Sequence, residues 1–181
     1  MDSTRKIEKV SLRNLHMEDY DQLAKSFKRI YADSDVFWTR SQIKKLITIF
    51  PEGQVVIIVD DKIVGCALSI IVNYNMVKGD HTYAQVTGNE TFNTHDANGN
   101  ILYGIEVFIH PDYRGLRLAR RMYEYRKELC EKLNLKAIMF GGRIPNYHKY
   151  ADQMRPKEYI DHVLRLEIFY LVIAIDVSND L

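Results

Sequence analysis

The stretch from Leu102 to Phe140 constrains the fold more than any other part of this chain. Leu102 to Ile109 reads as a buried strand, and Pro111 cannot continue a central ladder, so it marks the exit. Leu116 to Leu133 carries apolar residues at helical spacing, with Leu118, Met122, Tyr125, Leu129 and Leu133 on one face. Lys136 to Phe140 is a second strand, closed by Gly141-Gly142. Strand, helix and strand in that order form a crossover, which predicts a mixed α/β sheet.

The flanking segments supply the remaining layers. Val10 to Leu15 alternates as a short strand, and Met17 to Tyr31 carries a helical pattern through Leu23, Phe27 and Ile30. Thr39 suits the N-cap of a second helix whose apolar face is Ile43, Leu46, Ile47 and Phe50; Pro51-Glu52-Gly53 ends it. Gln54 to Val59 and Ile63 to Val72 form an antiparallel hairpin around Asp60-Asp61-Lys62. Asn73 to Asn100 is polar and reads as a long loop closed by an Asn98-Gly99 turn. Pro156 opens a short helix through Leu164, and Ile168 to Val177 reads as a last strand. No internal repeat or linker interrupts the series, so residues 1–181 read as one domain.

Charge narrows the ligand classes. Across 181 residues the formal charge is +1, which argues against nucleic acid or an anionic membrane as a global partner. Cys66 and Cys130 stand alone in apolar or amphipathic runs and read as reduced and structural. No apolar stretch is long enough to span a bilayer, and the first residues lead into no signal region, so the default compartment is cytoplasmic. His81, His95 and His110 lack metal-ligand spacing and read as loop or turn residues. Asp96, Asn98 and Asn100 imitate a calcium loop, but Ile101 stands where that loop needs glycine and its closing Glu is missing.

Positive charge is concentrated at one place. Arg114, Arg117, Arg120 and Arg121 flank Gly115 where the strand turns into the helix. A helix start offers unpaired N–H groups and the positive end of the dipole, so it suits phosphate oxygens. A solvated basic helix face explains the same residues, and the pattern alone does not choose between the two.

The residues Val-Phe-Ile-His-Pro-Asp-Tyr-Arg-Gly-Leu-Arg-Leu-Ala (Val107 to Ala119) resemble the acetyl-CoA signature of the GNAT superfamily of N-acyltransferases. The order of elements resembles the GNAT layout as well, with one departure in the signature: Arg117 occupies the middle glycine position. A helical backbone is open to Arg there, and its side chain could reach a phosphate. A narrower resemblance joins Thr87 to Asp96, Arg114 to Leu118 and Gly141 to Tyr150 to the acetyltransferase-like N-terminal domain of proteins that continue into a nitrilase-type carbon–nitrogen hydrolase. GNAT folds usually close with two late strands, and only one is visible here. The missing strand belongs to a longer chain or to a partner, with a homodimer an open reading.

The resemblance implies direct acetyl transfer from acetyl-CoA, as co-substrate and without a metal, to the amine of a small molecule or peptide. It implies that the backbone of Val107, Phe108 and Ile109 holds the pantetheine arm, and that Arg114, Gly115, Leu116, Arg117, Leu118 and Ala119 hold the diphosphate. It also implies a tyrosine beyond the next strand that protonates the leaving thiolate, for which Tyr150 and Tyr147 are the candidates. A CoA thiol resembles cysteine, with a pKa of roughly 8.5, so a neutral phenol can donate to it. Glu106, a carboxylate within an apolar strand, is the candidate base or amine anchor, since burial raises its proton affinity. An outward-facing Glu on a half-exposed strand is the competing reading. Arg143 is a candidate for a substrate carboxylate or CoA phosphate against an ordinary surface role, and Thr87 to Asp96 is the candidate acceptor-side wall. The other reading of the whole chain is a non-catalytic acyl-CoA-binding or regulatory domain that accompanies a hydrolase.

Overall fold

The computed structural model describes residues 9–31, 37–142 and 146–165. The chain divides into two compact units, Met1–Gly141 and Gly142–Leu181. In the first, strands β1 (Val10–Asn14), β2 (Val55–Val59), β3 (Lys62–Val72), β4 (Ile101–Ile109) and β5 (Ala137–Phe140) lie in sequence order across one sheet. The first four are antiparallel to their neighbours and β5 runs parallel to β4. The predicted α/β architecture and its crossover are present.

Helices α1 (Tyr20–Ile30) and α2 (Arg40–Ile49) belong to one face, where Leu23, Phe27, Ile43 and Leu46 share a core with Val56, Cys66, Leu68 and Ile70. The opposite face receives α5 (Leu118–Lys132), whose Leu118 and Met122 cluster with Ile57, Val64 and Ala67. With both faces covered, β2 and β3 read as nearly unbroken apolar runs instead of alternating ones. Thr39 caps α2 as expected: its side chain accepts from the Gln42 N–H, and Gln42 reaches back to the Thr39 N–H. A box of this kind stabilises a helix by about 1 kcal/mol.

Two expectations change. The segment 73–100 is not all loop; it holds two short helices, α3 (Tyr74–Val77) and α4 (Tyr83–Thr87). Asn73 caps the first and a Thr82/Gln85 capping box opens the second. Val77, Val86 and Phe92 pin the segment into the α1–α2 core. The crossover helix also begins at Leu118 instead of Leu116, and its buried stripe differs. Arg126 and Cys130 are buried, Tyr125 is only partly so, and Leu133 is exposed.

In the second unit, α6 (Pro156–Leu164) starts at its proline as expected. Ile168 to Val177 lies outside the described residues. No helix among the described residues is long and apolar enough to cross a membrane.

Candidate functional site

The site begins where β4 outruns β5. The parallel pairing runs from Ile101↔Ala137 to Gly104↔Phe140 and stops, while β4 continues to Ile109 against β3. A bulge occurs at that point: Leu68 pairs with Glu106 and Ser69 with Gly104, which leaves Ile105 as the extra residue. The bulge resets the alternation. Glu106 and Phe108 take the α1–α2 face opposite Leu68 and Cys66, whereas Val107 and Ile109 pack in the α5 cluster.

Main-chain direction follows from one bond. The His110 N–H donates to the Val64 carbonyl, so His110 points toward β3. Backbone groups alternate along a strand, so those of Val107 and Ile109 turn to the other edge, beyond the last residue paired with β5. They form the open edge of β4 beyond the end of β5 at Phe140.

The chain then turns from strand to helix in eight residues. Pro111–Tyr113 is a single 3-10 turn, fixed by the buried Tyr113 ring. Gly115 has φ of +82° and nothing within 4 Å of where a Cβ would stand. Arg117 is the N-cap of α5 and adopts φ 55°, ψ 28°, the left-handed region. The helical backbone open to Arg at the glycine position is thus the left-handed one. Such a conformation costs a non-glycine residue about 1 kcal/mol. No side chain caps α5, and the first bond into its ladder runs from the Arg121 N–H to the Arg117 carbonyl. The N–H groups of Leu118, Ala119 and Arg120 therefore precede the ladder. Arg120 is tied to Glu124 at 3.0 Å, but among the described residues no carboxylate pairs with Arg114, Arg117 or Arg121. Bare helix donors, an open glycine and three unpaired guanidinium groups are what a diphosphate needs.

On the α1–α2 face, Glu106 is half-buried. The Tyr83 hydroxyl of α4 donates to the Ile105 carbonyl, on the bulge residue, at 3.4 Å. Burial pushes the Tyr83 phenol up, and the charge of Glu106 pushes it further, followed by Glu90 and Tyr103. Burial, then Glu106, raises the Cys66 thiol too. A carboxylate thus sits among groups that stay protonated around neutral pH.

The profile of the Acetyltransferase (GNAT) family matches residues 10–151. The chain belongs to the GNAT acetyltransferase family. Among relatives of this GNAT chain, the "Probable hydrolase YhcX" of Bacillus subtilis (strain 168) is 36% identical over 99% of the chain. The chain spans only 35% of that protein's length. The uncharacterized N-acetyltransferase YkwB of the same organism is 29% identical over 88% of the chain and 72% of its own length. Among solved structures, the loading GNATL domain of CurA from Lyngbya majuscula has a TM-score of 0.70 at 23% identity, covering 86% of this chain and 74% of that one. The GphF GNAT-like decarboxylase in complex with isobutyryl-CoA has a TM-score of 0.59 at 16% identity, covering 83% and 75%. Both structural likenesses concern the fold alone.

The remaining predicted residues of the GNAT chain fall into the second unit or into turns. The Tyr147 hydroxyl donates to the Met154 carbonyl at 2.9 Å, and both Tyr147 and Tyr150 pack their rings on Tyr159. Among the described residues, no partner engages the Tyr150 hydroxyl, so of the two it is the less committed donor. Arg143 lies outside the described residues. The three histidines all engage backbone: His95 Nδ1 accepts from the Ile71 N–H, His110 Nδ1 from the Asp112 N–H, and His81 Nδ1 meets the Gly79 carbonyl. Among the described residues no cluster of three or more His, Cys, Asp or Glu is placed to hold a metal.

Two residues beside the site escape sequence reasoning. Tyr83 was one of twelve tyrosines in the chain, although the Thr82-x-x-Gln85 box marks a helix start just before it. Arg126 is 2% exposed beneath Gly104, with one bond to the Ser69 hydroxyl and no partner for Nε or Nη1. Nothing in an amphipathic pattern announces a buried arginine.

Proposed function

We propose that residues 1–181 act as one domain that transfers an acetyl group from acetyl-CoA directly to the amine of a small molecule or peptide. The observation that carries this reading is the continuity of two features. The stretch of β4 after Gly104, open on its β5 side, runs through one short turn into the uncapped start of α5, where Arg114, Arg117 and Arg121 meet no carboxylate among the described residues. A nucleotide diphosphate fits the second and an extended amide-bearing arm fits the first.

In this mechanism the Arg114–Ala119 loop fixes the diphosphate, with Leu116 exposed beside it and Leu118 anchoring the helix start in the core. The main chain of Val107 and Ile109, with Phe108 between them, aligns the pantetheine. The amine nitrogen attacks the thioester carbonyl, and a C–N bond forms as charge develops on the oxygen. A strand N–H on the open edge of β4 stabilises that oxyanion. Glu106 accepts the proton the nitrogen sheds and passes it to solvent. The C–S bond breaks, and Tyr150, or Tyr147 after release from Met154, protonates the thiolate.

A second reading has its own support. The chain matches a protein called a probable hydrolase and covers 35% of it, so this domain could serve as an acyl-CoA-binding regulator of a hydrolase. Calorimetry with acetyl-CoA, followed by thiol release with a panel of amines, tests both. Binding with turnover supports the transferase, binding without turnover supports the regulator, and no binding removes both.

A further inference from the structure

Tyr83 has no assigned role, yet its hydroxyl reaches the one β4 carbonyl that the bulge displaces from regular pairing. Several restraints hold it there. The Thr82/Gln85 capping box sets the start of α4, and the Thr87 hydroxyl bonds back to the Tyr83 carbonyl. Buried Val86 and Phe92 then anchor the segment in the same core as the Ile105 side chain. Tyr83 remains 37% exposed, so a ligand can reach it. A tyrosine held this firmly on a polar insert, next to a strand bulge, is more than a surface residue.

The bond itself is long. At 3.4 Å it exceeds the ordinary O–H···O range, so the hydroxyl and the carbonyl are available to a third group between or beside them. The residue after Ile105 is Glu106, whose side chain takes the same face of the sheet. A phenolic oxygen and a backbone carbonyl therefore meet at the bulge, on the face of the sheet that also carries the Glu106 carboxylate, close enough for its charge to act on Tyr83. All three accept hydrogen bonds, and an ammonium carries three N–H donors and no acceptor. Tertiary amines, which offer one donor when protonated, satisfy such a site poorly.

We propose that Tyr83 is an acceptor-binding residue that, with the Ile105 carbonyl and Glu106, receives the primary ammonium of the acyl acceptor. This rests on the acyl-transfer reading and adds to it a residue that holds the acceptor. The raised phenol fits a Tyr83 that stays neutral while the ammonium is bound.

The test uses the full chain with acetyl-CoA, desulfo-CoA, and a panel of primary amines matched with their N,N-dimethyl counterparts. Thermal shift measures binding of each amine to the desulfo-CoA complex, and thiol release measures turnover. For Tyr83→Phe the expected result is an amine KM, or amine Kd from the thermal shift, about tenfold higher, with acetyl-CoA affinity and unfolding midpoint unchanged. Glu106→Gln should weaken the amine as well, and the double variant should lose less than the product of the two single effects. Tyr83→Phe with unchanged amine affinity, or dimethylamines bound as well as primary ones, overturns the proposal. So does a desulfo-CoA complex that binds no amine, which leaves the CoA site standing. Absence of acetyl-CoA binding instead removes the acyl-transfer reading, and this inference with it.

Discussion

A Cβ on Gly104 would stand 2.4 Å from Nη2 of Arg126, closer than real Cβ contacts come. The glycine is the last β4 residue paired with β5, so the guanidinium lies beside the point where β5 ends. Gly104→Ala should therefore destabilise the fold by about 1–3 kcal/mol, because the buried arginine has little room to retreat. Arg126→Met should be neutral or stabilising, since the guanidinium has a lowered pKa from burial and leaves two nitrogens unsatisfied. In the double variant most of the alanine cost should vanish. Urea unfolding of the four proteins measures this, and simple additivity would contradict the packing described.

Arg117 allows strain to be separated from charge. Arg117→Gly should raise stability by about 1 kcal/mol through relief of the left-handed backbone, whereas Arg117→Ala keeps the strain and should not. Both lose the charge, so both should bind acetyl-CoA more weakly. Thermal unfolding and calorimetry of the same pair read the two effects independently.

The unpaired arginines predict a salt dependence. Each of Arg114→Gln, Arg117→Gln and Arg121→Gln should weaken acetyl-CoA binding roughly three- to tenfold at low ionic strength and flatten the decline with added salt. Arg120→Gln should do less, because Glu124 already holds that side chain. Equal losses at all four positions would point to a diffuse field instead of a cradle.

Two groups predict how stability falls with acid. Burial lowers the His95 pKa, so the unfolded chain takes up a proton that the folded ring resists. Stability from this group is complete above about pH 6.5 and declines as pH drops through that value. Asp19 acts lower. Burial opposes ionisation there, but the Arg13 guanidinium and the His16 N–H together hold the carboxyl below its usual range. Its contribution is present above about pH 4 and lost below, as pH falls through the depressed folded value. His95→Gln should flatten the urea midpoint between pH 7.5 and 5.5, and Arg13→Met should move acid unfolding to higher pH.

Much of the fold is legible in the sequence. The β2–β3 hairpin, the Thr39 cap and the crossover all announce themselves through periodicity or capping chemistry, which are local properties. The turn from β4 into α5 stands out in the sequence because Gly115 and the arginines are dense in one place. The bulge does not, since Ile105 is an apolar residue in an apolar run, and only its missing partner across β3 exposes it. Arg126 was hidden for a related reason: its long stem packs like an aliphatic residue, while its name reads as solvent. Tyr83 needed the folded insert to bring it back to β4.

The extra residue at Ile105 also divides β4 into two registers that can change separately. Residues 101–104 answer to β5 and the helix beneath, while 106–109 answer to whatever molecule lies along the open edge. Removing that one residue would leave Gly104 opposite Ser69 and Glu106 opposite Leu68, merging the two halves into one regular ladder with Glu106 still on the α1–α2 face. A single amino acid thus sets the kink in the strand and leaves the faces of its neighbours as they are.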